Sequence, residues 1–176
     1  MKSFGVLSVL TAFLFLTSAP AANSTGATAS IDKLPKSGTY YIVSSETKEA
    51  LQPEAATAGQ NVFLYEYNQS GMQKWTVTRK IDPKTKKPLN SYTIRLAGEN
   101  NDLYLQPFPA PDHTCMVSSG ASNYSLGAAG ESFVIKSSAL NGDALNTYPS
   151  PPGPTEAHFG PSDSSQKFKW DFIAAN

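Results

Sequence analysis

The sequence predicts an all-β barrel made of three repeats, each of about four short strands, closed around a pseudo-threefold axis. Three observations predict it. Apolar and polar residues alternate along most of the chain, and no segment keeps a helical apolar period beyond two turns. Opening strands of one type recur at Tyr40-Tyr41-Ile42-Val43, Tyr92-Thr93-Ile94-Arg95 and Phe133-Val134-Ile135-Lys136, with the isoleucines 52 and 41 residues apart. Finally, a unit of four short strands cannot bury its apolar face alone, whereas three units closing on one another bury it and leave few exposed edges.

Composition sets the outer limits. The 176 residues carry 14 Lys+Arg against 14 Asp+Glu, and only 16% are charged. That argues against nucleic-acid binding through bulk positive charge. Hydrophobic residues make up 40%, with 8 Tyr and 9 Phe, enough for one core. The single cysteine, Cys115, excludes an intrachain disulfide, and with two histidines it leaves few ligands for zinc. No metal or other cofactor is expected.

The first 21 residues read as a secretion signal. Lys2 supplies positive charge, residues 4–16 (FGVLSVLTAFLFL) form an apolar run too short to span a bilayer, and Ala19-Pro20-Ala21 gives a small-residue cleavage site. Residues 22–33 are small and polar and read as a flexible lead-in to a single domain over 34–176. A secreted, extracellular protein without a membrane span is expected. In a eukaryotic secretory pathway the sequons at Asn23, Asn68 and Asn123 would be open to glycosylation.

Each opening strand is followed by a short strand, at Leu51-Gln52, Leu105-Gln106 and Leu145-Asn146, with Pro53 and Pro107 directly after the first two. Closing strands fall at Gln73-Lys74-Trp75-Thr76-Val77, weakly at Tyr124-Ser125-Leu126, and over residues 166–172. Residues 79–87 carry five basic side chains between two strands and read as a solvated hairpin tip. Residues 149–154 (PSPPGP) cannot occupy a central strand and read as a surface loop.

These strands, with Gln73-x-Trp75 closing the first copy, resemble the ricin B-type β-trefoil lectins, especially those of fungi. The resemblance runs from about Leu34 to Ile173. In the third copy the closing motif reads as Gln166-x-Phe168, with Trp170 two residues on, and either register keeps the aromatic on one strand face. The second copy has no such motif. Gln73, Trp75, Gln166 and Trp170 are therefore read as structural, the tryptophans as core anchors and the glutamine amides as partners for nearby backbone.

The resemblance implies a carbohydrate-binding protein without catalytic activity, whose partners are glycans or glycoproteins. In that family an Asp after the Leu of the short strand holds sugar hydroxyls, and an aromatic about a dozen residues later stacks on the ring. Here the Asp position holds Gln52, Gln106 and Asn146. The stacking position holds Tyr65 and Phe159, each thirteen residues after its amide. Met72 stands where the family has Asn. No copy keeps the galactose-type set, so a changed preference for neutral glycans through amides and aromatic faces is expected. Tyr148 in the proline loop and Asn68 at the rim complete the expected site, and a glycan on Asn68 would obstruct Tyr65.

Two further readings stay open. Fungal β-trefoils include protease inhibitors, whose partner would be a protease engaged through an exposed loop such as 149–154. A trefoil kept only for protein interaction is the third. Asp112-His113-Thr114-Cys115 would place His113 and Cys115 on one strand face, but no third orienting group accompanies them, and Cys115 reads as a small buried apolar residue.

Overall fold

A computed structural model describes residues 33–98, 102–108 and 114–176. The expected secretion signal, the expected lead-in apart from Lys33, and Asn23 lie outside the described residues. Alternation becomes twelve strands: β1 (Gly38–Ser44), β2 (Glu49–Pro53), β3 (Val62–Glu66), β4 (Lys74–Ile81), β5 (Pro88–Leu96), β6 (Tyr104–Pro107), β7 (Cys115–Ser118), β8 (Tyr124–Ala129), β9 (Ser132–Ser137), β10 (Ala144–Tyr148), β11 (Glu156–Gly160) and β12 (Trp170–Ala174). In β5, for example, Tyr92, Ile94 and Leu96 are buried while Ser91, Thr93 and Arg95 between them are half-exposed.

Pairing closes a barrel. β1 pairs with β4, β4 with β5, β5 with β8, β8 with β9, β9 with β12, and β12 returns to β1, all antiparallel. The remaining six strands form the hairpins β2–β3, β6–β7 and β10–β11, one for each predicted repeat. Ile42, Ile94 and Ile135 are each fully buried in one common core. Closure leaves the barrel strands without a free edge, which offsets the absence of a disulfide.

The three repeats share one device. Trp75 Nε1 donates to the Leu51 carbonyl at 3.0 Å, and Trp170 Nε1 donates to the Leu145 carbonyl at 2.9 Å. Between them, Tyr124 Oη donates to the Leu105 carbonyl at 2.7 Å. In each repeat a large ring fills the core and its polar edge ties the closing strand to the Leu of the second strand. Opposite these rings on the opening strands stand Tyr40, Tyr92 and Phe133. Tyr124 is thus the second copy's anchor, and burial raises its phenol pKa well above the usual range.

The third closing motif is settled by the same bonds. Two equivalent 3-10 turns, Gly71–Gln73 and Gln166–Phe168, precede Lys74-Trp75 and Lys169-Trp170. Phe168, buried, therefore occupies the place of Gln73, and Gln166 stands exposed at the place of Gly71. The structural role expected of Gln166 is corrected: only Gln73 bonds the backbone of its loop, and Trp170, not Phe168, is the third anchor.

Replacing Tyr124 with Phe keeps its ring stacked on Phe159, whose centroid lies 6.0 Å away, and removes only the bond to Leu105. The Leu105 carbonyl is then buried without that donor, and unfolding free energy should fall by about 1–3 kcal/mol. Urea titration should show a lower midpoint at unchanged slope. An unchanged midpoint would mean the tyrosine hydroxyl contributes nothing.

Candidate functional site

The three hairpins turn one strand face to the core and the other outward. In β2–β3, Leu51 pairs with Leu64 on the inner face, while Gln52 pairs with Phe63 and Ala50 with Tyr65 on the outer one. Gln52, Phe63 and Tyr65 are each half-exposed, and the two rings meet edge to face at 6.2 Å. The Gln52 amide makes no hydrogen bond to any described residue. The site thus holds a free donor and a free acceptor between strand neighbours that present aromatic surface. Tyr67, two residues on, is used differently: it packs edge to face on Tyr41 at 5.2 Å in a small apolar cluster with Val43 and Ala50.

The equivalent amides are engaged. Gln106 donates to the Gly120 carbonyl and accepts from Ser122 Oγ at 2.7 Å, so both ends of its amide are occupied. Ser118 takes the place of Tyr65 there, and the half-exposed ring of that face, Tyr104, stands instead on the strand that carries Gln106, at the place of Ala50. Asn146 is only 8% exposed, and its Nδ2 lies 3.4 Å from the Ala144 carbonyl.

The third hairpin corrects the expectation for Phe159. Asn146 pairs with His158, Leu145 with Phe159, and Ala144 with Gly160. Phe159 faces inward, 2% exposed in the core, and cannot stack on a ligand. The equivalent of Tyr65 is Gly160, where a Cβ would stand 3.4 Å from Asn146 Nδ2. The equal spacing of thirteen residues misleads because the third hairpin loop is one residue longer, and a one-residue slip turns every side chain to the other face.

Another cluster fills that outer face. Tyr148 is 56% exposed and its ring stacks on His158 at 4.7 Å, with the planes 25° apart. His158 Nε2 lies 2.7 Å from Glu156 Oε2, and that bond holds the Glu156 carboxyl below its usual pKa. Asn146, His158, Tyr148 and Glu156 share one face by the strand pairing. His158 and Glu156 were not expected from sequence; counting outward positions back from Trp170 through the hairpin would have found them.

On the opposite face of β10, Thr147 opens onto a cleft of about 280 Å3 between the first and third repeats, lined also by Glu46, Thr47, Pro149, Thr155 and Lys167. Thr147 Oγ1 donates to Glu46 Oε2 at 2.9 Å.

The two described sequon asparagines, of which Asn68 is also the expected rim residue, differ in exposure. Asn68 is exposed beyond the end of β3, its Oδ1 accepting the Ser70 amide at 3.0 Å. Among the described residues it has no hydrogen bond to Gln52 or Tyr65. Asn123 is half-buried just before β8. Cys115 is fully buried and desolvation pushes its thiol pKa far up, so it is not poised as a thiolate nucleophile; His113 lies outside the described residues.

No protein-family model matches the sequence, and no curated protein matches it. Solved structures do. The agglutinin of Rhizoctonia solani superposes with TM-score 0.65 at 20% identity, over 81% of this chain and 97% of that one. A designed threefold-symmetric protein, ThreeFoil, superposes with TM-score 0.64 at 16% identity, over 78% of this chain and 99% of its own. The fold is a β-trefoil. The ricin B-like lectin of Macrolepiota procera, in complex with lactose, superposes with TM-score 0.62 at 16% identity, over 81% of this chain and 99% of that one. At such identities the likeness is one of fold, so any site must be argued from this chain's own side chains.

Proposed function

We propose that this β-trefoil is a secreted, non-catalytic carbohydrate-binding protein that takes neutral glycans on the outer faces of its first and third hairpins. One observation carries the reading: an unengaged amide, Gln52, stands on a half-exposed strand face with Phe63 and Tyr65. A pyranose offers two complementary surfaces, hydroxyls at its rim and C–H groups on its face. The amide can donate to one hydroxyl and accept from another, while an aromatic face receives the C–H side. The third hairpin adds Tyr148 as an exposed ring braced on His158, with the Glu156 carboxylate as acceptor beside it. Sugar-bearing solved relatives in fold, such as the lactose complex, support the class of ligand and not its identity. Two weak sites on one domain would reinforce each other on a multivalent glycan surface.

A glycan array followed by titration of the best binder tests the proposal. Tyr65→Ala and Tyr148→Ala should each weaken their own site by roughly tenfold, the loss of about 1.4 kcal/mol of stacking and burial. Both side chains lie off the main core, so the folded state should persist by circular dichroism. A blank array from folded protein at high concentration would overturn the assignment.

A further inference from the structure

We propose that the β4–β5 hairpin is a docking element for an anionic lipid surface. The barrel end of this hairpin is braced: Arg79 Nε donates to the Leu89 carbonyl at 2.8 Å, and the guanidinium carbon lies 5.7 Å from the centre of the Tyr92 ring. Asn90 joins the arm to β8 through both ends of its amide, donating to the Leu126 carbonyl and accepting the Leu126 N–H, each at 2.9 Å. Beyond this brace the arm leaves the barrel. Every residue from 80 to 90 is exposed except Asp82.

Its tip is a fixed turn. Asp82 Oδ1 accepts the amides of Lys84 at 2.7 Å and Thr85 at 3.2 Å, and the backbone of Asp82 pairs with Lys86 and Lys87. Lys86 adopts the left-handed conformation this turn requires, with φ of 57°. The one acidic group of the segment is thereby occupied by backbone. Lys80, Lys84, Lys86 and Lys87 form no ion pair among the described residues.

Charge is divided unevenly. Residues 79–87 hold five basic side chains and one acidic, while the chain as a whole holds 14 of each. The rest of the molecule is therefore net acidic, and the arm is its positive pole. On the same arm Ile81 is 53% exposed and Leu89 is 40% exposed, and neither belongs to the core.

These features decide between partners. A soluble polyanion would satisfy the lysines and leave Ile81 and Leu89 in water. An anionic bilayer satisfies both, taking lysines at the headgroups and the apolar pair at the acyl boundary. Binding of this kind is peripheral; no helix among the described residues is long and apolar enough to cross a membrane. It is independent of the glycan reading, which concerns other surfaces.

Co-sedimentation with vesicles tests it, using phosphatidylcholine alone and phosphatidylcholine mixed with phosphatidylserine. The protein should bind the mixed vesicles and not the neutral ones, and high salt should release it. Each lysine near the surface is worth about fivefold, so Lys80→Gln/Lys84→Gln/Lys87→Gln should weaken partitioning by about a hundredfold. Ile81→Ser/Leu89→Ser should weaken binding while keeping its salt sensitivity. Near-UV circular dichroism confirms that each variant is folded. Equal binding to neutral vesicles, no loss in the triple variant, no vesicle binding at all, or capture of soluble heparin without vesicle binding would each overturn the proposal.

Discussion

Trp170→Ala should cost about 3–5 kcal/mol of folding stability, a large part of the ~5–15 kcal/mol a domain of this size holds. The side chain is fully buried, and its removal leaves a cavity between β12, β9 and the third hairpin as well as a Leu145 carbonyl without its donor. The barrel has no disulfide to limit the unfolded chain, so nothing offsets the loss. Trp170→Phe keeps most of the ring volume and forfeits the hydrogen bond, so it should cost markedly less. Urea unfolding followed by circular dichroism gives both numbers. A loss under about 1 kcal/mol for Trp170→Ala would mean that the three repeats do not depend on their anchors for closure.

The first repeat was legible because its device is written in its residues. Gln73 and Trp75 keep the letters of the motif, and both do what those letters suggest: the amide bonds backbone and the indole anchors the core. The second repeat hid the same device behind different letters. Tyr124 supplies a ring and a donor, as Trp does, through a hydroxyl in place of an indole N–H. Strand alternation and repeat spacing found its position; a search for Gln-x-Trp could not. In the third repeat two buried aromatics stand two residues apart, Phe168 in the 3-10 turn and Trp170 on β12, and the hydrogen bond to Leu145 marks Trp170 as the anchor.

Exposure was legible at Gln52, Tyr65 and Tyr148, because it follows from strand alternation or from a place beside the proline loop. It was not legible at Phe159, because loop length decides register and one residue inserted in a loop leaves no periodic signal. Nor could spacing show that Gln106 is occupied: its partners, Gly120 and Ser122, sit in an irregular segment after β7. What the sequence carries well is which residues fall on a face. What it carries poorly is which polar groups on that face are already satisfied, and a ligand site depends on the unsatisfied ones.

Gln73→Leu should destabilise the domain by about 2–4 kcal/mol although it adds an apolar side chain to a buried place. Gln73 Oε1 accepts the amides of Asn68 at 3.0 Å and Gln69 at 3.2 Å, and Nε2 donates to the Glu66 carbonyl at 2.8 Å. Three backbone groups of the β3–β4 connection lose their partner at once, and Gln69 is already held at φ 61°, where it depends on those bonds. The third repeat shows why the loss is not general. Its loop keeps the same side-chain turn, with Asp163 Oδ1 accepting the Ser165 amide as Asn68 Oδ1 accepts that of Ser70, but Phe168 fills the glutamine's place beneath exposed residues. The backbone there meets water, so Phe168→Gln should bring no matching gain. Gln73→Leu should also speed hydrogen exchange over residues 66–70 more than elsewhere, and, because that segment continues from Tyr65, weaken any glycan bound at the first hairpin. Stability within about 0.5 kcal/mol of the native protein, with exchange unchanged in that loop, would show that the amide is dispensable and that shape alone holds the position.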